Sequence, residues 1–200
     1  MAIVGRTPDE CFKTFLDHVG PLIANMVPTD CPVLCPRRRG QPLQRTLSFA
    51  NPEHDDAVPL KIDGGTIYLY MAQELRAVRE DGAYRLRTVA YWYKLFPRSP
   101  LENDDALVRW EYKAADPGCP GPCRHHVQFG KMAPRMALGA THFDLTRFHM
   151  PTGWVLMEEV LRFLVHELGM KPRCGDRWPE VLRDSEDKFY DSFTDRGGRG

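Results

Sequence analysis

No stretch of this chain approaches the roughly 18 consecutive apolar residues of a membrane-spanning helix. Its first residues, Met-Ala-Ile-Val-Gly-Arg-Thr-Pro-Asp-Glu, carry no cationic region followed by a long apolar one. A cytoplasmic protein with no membrane partner is therefore expected. Net charge is also missing, because 27 basic residues balance 27 acidic ones. That excludes a nucleic-acid binder held by bulk charge, so any such contact must come from a local patch. There is no P-loop, G-x-G-x-x-G, G-x-S-x-G or H-E-x-x-H motif, which leaves nucleotide-fold, serine-hydrolase and zincin chemistry without support. Nor does any internal repeat recur at a useful period.

What is present is a 200-residue chain, 42% hydrophobic, with ten Phe, seven Tyr and four Trp. That suffices for one sizeable core and is too apolar for a disordered chain. Thr7, Pro8 and Glu10 form a helix start, and Phe12, Phe15, Leu16 and Val19 give an apolar stripe, predicting a helix over 8–24. Residues 27–65 read as an irregular Cys- and Arg-bearing loop, with one short strand near Gln44–Phe49. A sheet is predicted over 66–149. Thr66–Arg79 and Tyr84–Phe96 are joined by the hairpin signal Glu80-Asp81-Gly82, and Leu107–Lys113, Arg124–Phe129 and His142–His149 follow. The segments Asp116–Pro122 and Lys131–Ala140 read as loops. Helical spacing returns with Leu156, Val160, Leu164 and Leu168, and a last helix is predicted near Trp178–Phe193, so helices occupy 156–193. The expectation is one α+β domain over 1–195: a curved antiparallel sheet of four to five strands, with the N-terminal helix and two C-terminal helices packed on one face. Residues 196–200 are expected to be a disordered tail.

Charge is unevenly placed along this neutral chain. Between Pro120 and Met150, Arg124, Lys131, Arg135 and Arg147 face one acid, Asp144. Between Gly175 and Asp195, seven acids meet three bases. Two solvated faces, or a polarised molecule whose basic side meets an anion, both fit this pattern.

Four of the seven histidines, His125, His126, His142 and His149, fall within 124–153 beside these arginines. Imidazole exchanges a proton near neutral pH, and guanidinium matches phosphate geometry. Strand alternation puts His126 on the face opposite His125, with His126 toward a polar site and His125 toward apolar neighbours. An adjacent strand brings His126 near His142 or His149, a choice that sequence leaves open. Two imidazoles and an arginine would suit metal-free RNA cleavage, one accepting the ribose 2′-hydroxyl proton and the other protonating the leaving oxygen. Backbone-bonded, structural histidines fit the same pattern. The candidate catalytic set is His126, His149 and Arg147. Arg124, Arg85, Arg87 and Tyr91 are candidates for substrate binding, since Tyr91-Trp92-Tyr93-Lys94 with the upstream arginines would make a stacking and phosphate surface on an open sheet face.

Cys31-Pro-Val-Leu-Cys35 and Cys119-Pro-Gly-Pro-Cys123 are two C-x₃-C pairs. Four thiolates so arranged could hold a structural zinc, although unpaired thiols are the more ordinary state. No cofactor is required by the candidate chemistry. The Arg37-Arg38-Arg39-Gly40 run reads as a solvated loop rather than a phosphate contact.

The strand pair followed by Arg109-Trp110-Glu111-Tyr112, then Arg124-His125-His126-Val127, then a helix opening with Glu158-Glu159-Val160, resembles small bacterial proteins of the TumE toxin type. The likeness covers about residues 83–170. It implies an RNA-directed toxin, an antitoxin as protein partner, and a functional role for His126. The longer histidine run expected after the third strand is absent here. The leading expectation is a cytosolic RNA-directed protein, a metal-independent endoribonuclease. The competing one is a non-catalytic protein-binding module using the open sheet face and acidic C-terminal helix.

Overall fold

The computed structural model describes residues 3–99, 105–114, 125–130, 136–138, 141–143 and 149–194. In chain order the elements are β1 (Val4–Gly5), α1 (Pro8–Met26), β2 (Val33–Leu34), β3 (Arg37–Arg38), β4 (Gln41–Phe49), β5 (Ala57–Ile62), β6 (Gly65–Glu80), β7 (Ala83–Phe96), β8 (Val108–Lys113), β9 (His125–Phe129), β10 (Met136–Leu138), β11 (Thr141–Phe143), β12 (His149–Pro151), α2 (Met157–His166) and α3 (Trp178–Thr194). Ten strands form one open sheet in the order β12-β9-β8-β7-β6-β4-β2, with β1 added to β7, β3 to β4 and β5 to β6. Every pairing is antiparallel.

The α+β class and the three helices match the sequence expectation, but the sheet has more strands than four to five. The segment 27–65, expected to be irregular apart from a short strand near Gln44–Phe49, supplies that strand as β4 and adds β2, β3 and β5. Two of these are only two residues long, too short to show a period, and Pro59 interrupts the pattern of β5. Pro59 is tolerated because β5 has β6 as its sheet partner and needs no donor on its other edge. His142 and His149, expected on one strand, lie on different ones. Thr141–Phe143 pairs with Met136–Leu138, a stretch expected to be loop, and His149–Pro151 pairs with β9.

The long β6–β7 hairpin turns at Asp81 and Gly82, with φ of 49° and 82°, the doubly left-handed geometry that matches strand twist. Along β6, Leu69, Met71, Leu75 and Ala77 are buried on one face. On β7, Tyr91, Tyr93 and Leu95 share that face. Between Glu74 and Leu75 the register skips Val89, so β7 carries one extra residue there.

Helix α1 packs on the apolar face through Phe12, Phe15, Val19, Leu22, Ile23 and Met26. Thr7 caps it by accepting the Glu10 backbone N–H at 3.2 Å, and Glu10 reaches back to the Arg6 N–H at 2.8 Å. Glu159 performs the same return bond for α2, accepting from the Leu156 N–H at 2.7 Å. The three helices share one polar joint. Ser185 of α3 donates to buried Glu158 of α2 at 2.5 Å, and its hydroxyl lies 3.3 Å from His18 Nε2 of α1. No helix among the described residues is long and apolar enough to cross a membrane.

Charge is divided between the layers. The three helices carry ten acidic side chains against four basic ones. On strands β4, β6, β7, β8 and β9, the positions facing away from the helices hold six cations, Arg76, Arg85, Arg87, Lys94, Arg109 and Lys113. Three carboxylates, Glu74, Glu80 and Glu111, accompany them.

Candidate functional site

Strand register builds the site. Residues directly opposite one another in a sheet share a face, so two adjacent rows can be followed across the strands. One row runs Tyr70, Lys94, Arg109, Gln128, His149 from β6 to β12. The next runs Ala72, Trp92, Glu111, His126, Pro151. Tyr70, Lys94, Arg109 and Gln128 of the first row and Ala72, Trp92, Glu111 and His126 of the second lie on the face away from the helices.

At their crossing, Glu111 divides its carboxylate between two partners. Its Oε1 is 3.2 Å from Lys94 Nζ, and its Oε2 is 3.7 Å from His126 Nε2. These side chains are largely shielded: His126 is 17% exposed and Glu111 19%. Arg109, only 9% exposed, sits in the neighbouring row, and its buried Nε has no hydrogen-bond partner. Among the described residues no carboxylate pairs with Arg109, so the cluster combines two permanent cations, one carboxylate and one imidazole. Desolvation strengthens each of these charges as seen by an anion. The ring of Tyr70 lies 5.8 Å from Lys94 Nζ and closes one end.

His125, one residue away, is on the other face in a different environment. Its ring stacks on Tyr112 with centroids 4.3 Å apart and an 8° interplanar angle, and Trp154 lies at 5.1 Å. Its Nδ1 is 3.3 Å from the Tyr91 hydroxyl. The division expected from alternation, His126 polar and His125 among apolar rings, matches this geometry.

Tyr91 is not a surface stacking residue, which corrects the sequence reading. It is 1% exposed, and its hydroxyl accepts the Val155 N–H at 3.2 Å, tying β7 to the approach of α2. Burial pushes its hydroxyl pKa up to about 12. It parts from Arg85 and Arg87 because of the extra residue Val89. Beyond it Leu86 and Thr88 turn inward, opposite Ala77 and Leu75, and Arg85 and Arg87 turn outward. Arg87, 59% exposed at the side chain, pairs with Glu80 at 2.7 Å.

His149 lies opposite Gln128 and diagonal to His126, so of the two open choices the register brings 149, not 142, onto the strand beside His126. The side chains of His149 and His142 lie outside the described residues, as do Arg124, Arg147, Cys119 and Cys123. Cys31 and Cys35 are free thiols, and burial raises the Cys35 thiol to about 11. No group of three or more potential metal ligands occurs among the described residues. Sequence reasoning missed Arg109, Glu111 and Gln128 as site residues, and had Lys94 only as part of the Tyr91–Lys94 surface. A signal was there: Arg109, Glu111 and Lys113 alternate along β8 and so had to share its outward face. No family model, curated protein or solved structure matches this chain.

Proposed function

We propose that the outward sheet face is an RNA-directed site and that the protein is a cytosolic, metal-independent endoribonuclease of toxin type centred on His126. The observation that carries this reading is the sharing of Glu111 between His126 and Lys94 beside buried Arg109, with which no carboxylate among the described residues pairs. Glu111, 3.7 Å from Nε2, stabilises the imidazolium formed when His126 takes a proton from a ribose 2′-hydroxyl. His149, on the neighbouring strand, is assigned the complementary transfer to the leaving oxygen. Lys94 and Arg109 meet the charge that develops on phosphorus-bound oxygens, the role a metal ion fills in other nucleases.

The test is cleavage of a generic single-stranded RNA in EDTA. Replacing His126 with Ala should lower the rate about 10²–10⁴-fold, with circular dichroism and melting temperature unchanged. Absence of cleavage by the unaltered protein, or equal rates in the folded His126→Ala variant, overturns the proposal.

A second reading is favoured by the acidic helix layer, in which Glu180, Asp184 and Asp187 of α3 are all exposed. That surface suits a basic protein partner such as an antitoxin. In the purely non-catalytic form of this reading no RNA is cleaved, and Glu180→Lys/Asp184→Lys abolishes partner capture while His126→Ala leaves it intact.

A further inference from the structure

Beyond the His126 cluster, the outward face carries an arrangement that folding alone does not favour. Arg76 of β6 and Arg87 of β7 are directly opposite in register, and both are exposed. Like charges so placed destabilise an antiparallel pair. Arg38 of β3 lies on the same side, bonded to Glu74 of β6 at 3.0 Å, and exposed Lys113 of β8 stands opposite Ala90 of β7. Between this cationic end and the Lys94–Arg109–His126 end stands Trp92, half-buried, in the same row as Glu111 and His126.

We propose that this face is a track for an extended single-stranded RNA, running along β6 and β7 from the His126 cluster to the Arg76–Arg87 pair. The proposal rests on the RNA-directed reading above and adds to it the path of the substrate. Three observations support a nucleic-acid strand over other anions. Arg85, Arg87 and Lys94 lie in line on β7 with Arg76 beside them on β6, and Arg87 to Lys94 spans about 20 Å at ordinary strand rise, the reach of a short oligonucleotide. An aromatic ring between two cationic ends is the pattern on which unpaired bases stack while their phosphates are held. The molecule is also polarised across its thickness, with the acidic helices behind the sheet, so an approaching polyanion is steered to this face although the whole chain is neutral. The existing pairs of Arg87 with Glu80 and Arg38 with Glu74 do not block the site, since exposed ion pairs are weak and a phosphate can displace them.

The experiment is fluorescence-anisotropy binding of a labelled 2′-O-methyl RNA, which cannot be cleaved through its 2′-oxygen, to the full chain at a series of salt concentrations. Each phosphate contact on a single strand contributes about −0.7 to the slope of log K against log salt. Arg76→Ala/Arg87→Ala should flatten that slope by about 1.4 and weaken binding about 25-fold near 0.1 M salt. Lys13→Ala/Arg183→Ala removes two exposed cations from the helix layer and should change neither quantity. An unchanged slope in the sheet-face variant, an equal effect of the helix-layer variant, or equally effective competition by polyglutamate overturns the track. Cleavage of a dinucleotide reads the His126 site separately. Cleavage with binding indifferent to Arg76 and Arg87 removes the track and leaves the nuclease standing. Binding that depends on them without any cleavage supports the track and removes the nuclease.

Discussion

Replacing Glu158 with Gln tests the polar joint of the three helices, because it keeps the shape and the bond to Ser185 while deleting the carboxyl's titration. Glu158 is 4% exposed, and its pKa is raised, first by burial, with Glu186 and Glu159 adding repulsion and the Ser185 bond opposing. A carboxyl whose folded pKa exceeds its unfolded one contributes stability that is complete below the unfolded value. That contribution is lost as pH climbs from about 4.5 through the raised folded value. Inside this window the loss approaches about 1.4 kcal/mol per pH unit. His18 works in the opposite sense. Burial, then Lys188, lowers its pKa, so its contribution is complete above about 6.5 and is lost as pH falls. The wild-type curve therefore mixes two opposed slopes, and the diagnostic quantity is the difference between wild type and Glu158→Gln, in which His18 cancels. Urea unfolding from pH 4 to pH 8 should show the two proteins coinciding at the acid end, with the Gln variant gaining on wild type as pH rises. A difference that stays flat, or that grows in favour of wild type, refutes burial as the dominant influence on this carboxyl.

Two further outcomes are expected. Tyr91→Phe strands the Val155 N–H and cuts the link to His125, costing about 1–3 kcal/mol in denaturant unfolding; the loss should appear as faster amide exchange at Val155. Cys11 and Cys35, buried and with thiols raised to about 11, should resist alkylation at pH 8 in the native protein and react on addition of denaturant, as peptide mass mapping would record.

The fold was legible wherever local chemistry and tertiary placement agreed. Thr7, Pro8 and Glu10 announced α1, and Asp81-Gly82 announced the hairpin, because a cap and a doubly left-handed turn each admit few residue types. It was illegible where pairing is non-local: β2 and β3 exist only because β4 offers them an edge, and two residues have no period to read. For the site, alternation separated His125 from His126 correctly. Tyr91 was read as a surface residue because composition does not show which face the helices cover, and the bulge that separates it from Arg85 and Arg87 leaves no mark there either. The pairing of Glu111 with Lys94 escaped notice because it joins different strands, and the register that unites them is set by the whole sheet.

Val89 has a consequence for how this chain can change. Were that residue deleted, the half of β7 that precedes it would be turned over relative to the other, driving two guanidiniums into the interior and delivering Leu86 to water. Substitutions along β7 can be absorbed one by one, but its length between Arg87 and Tyr91 cannot drift. A single-codon loss there would at once unmake the interior and strip two cations from the outward surface.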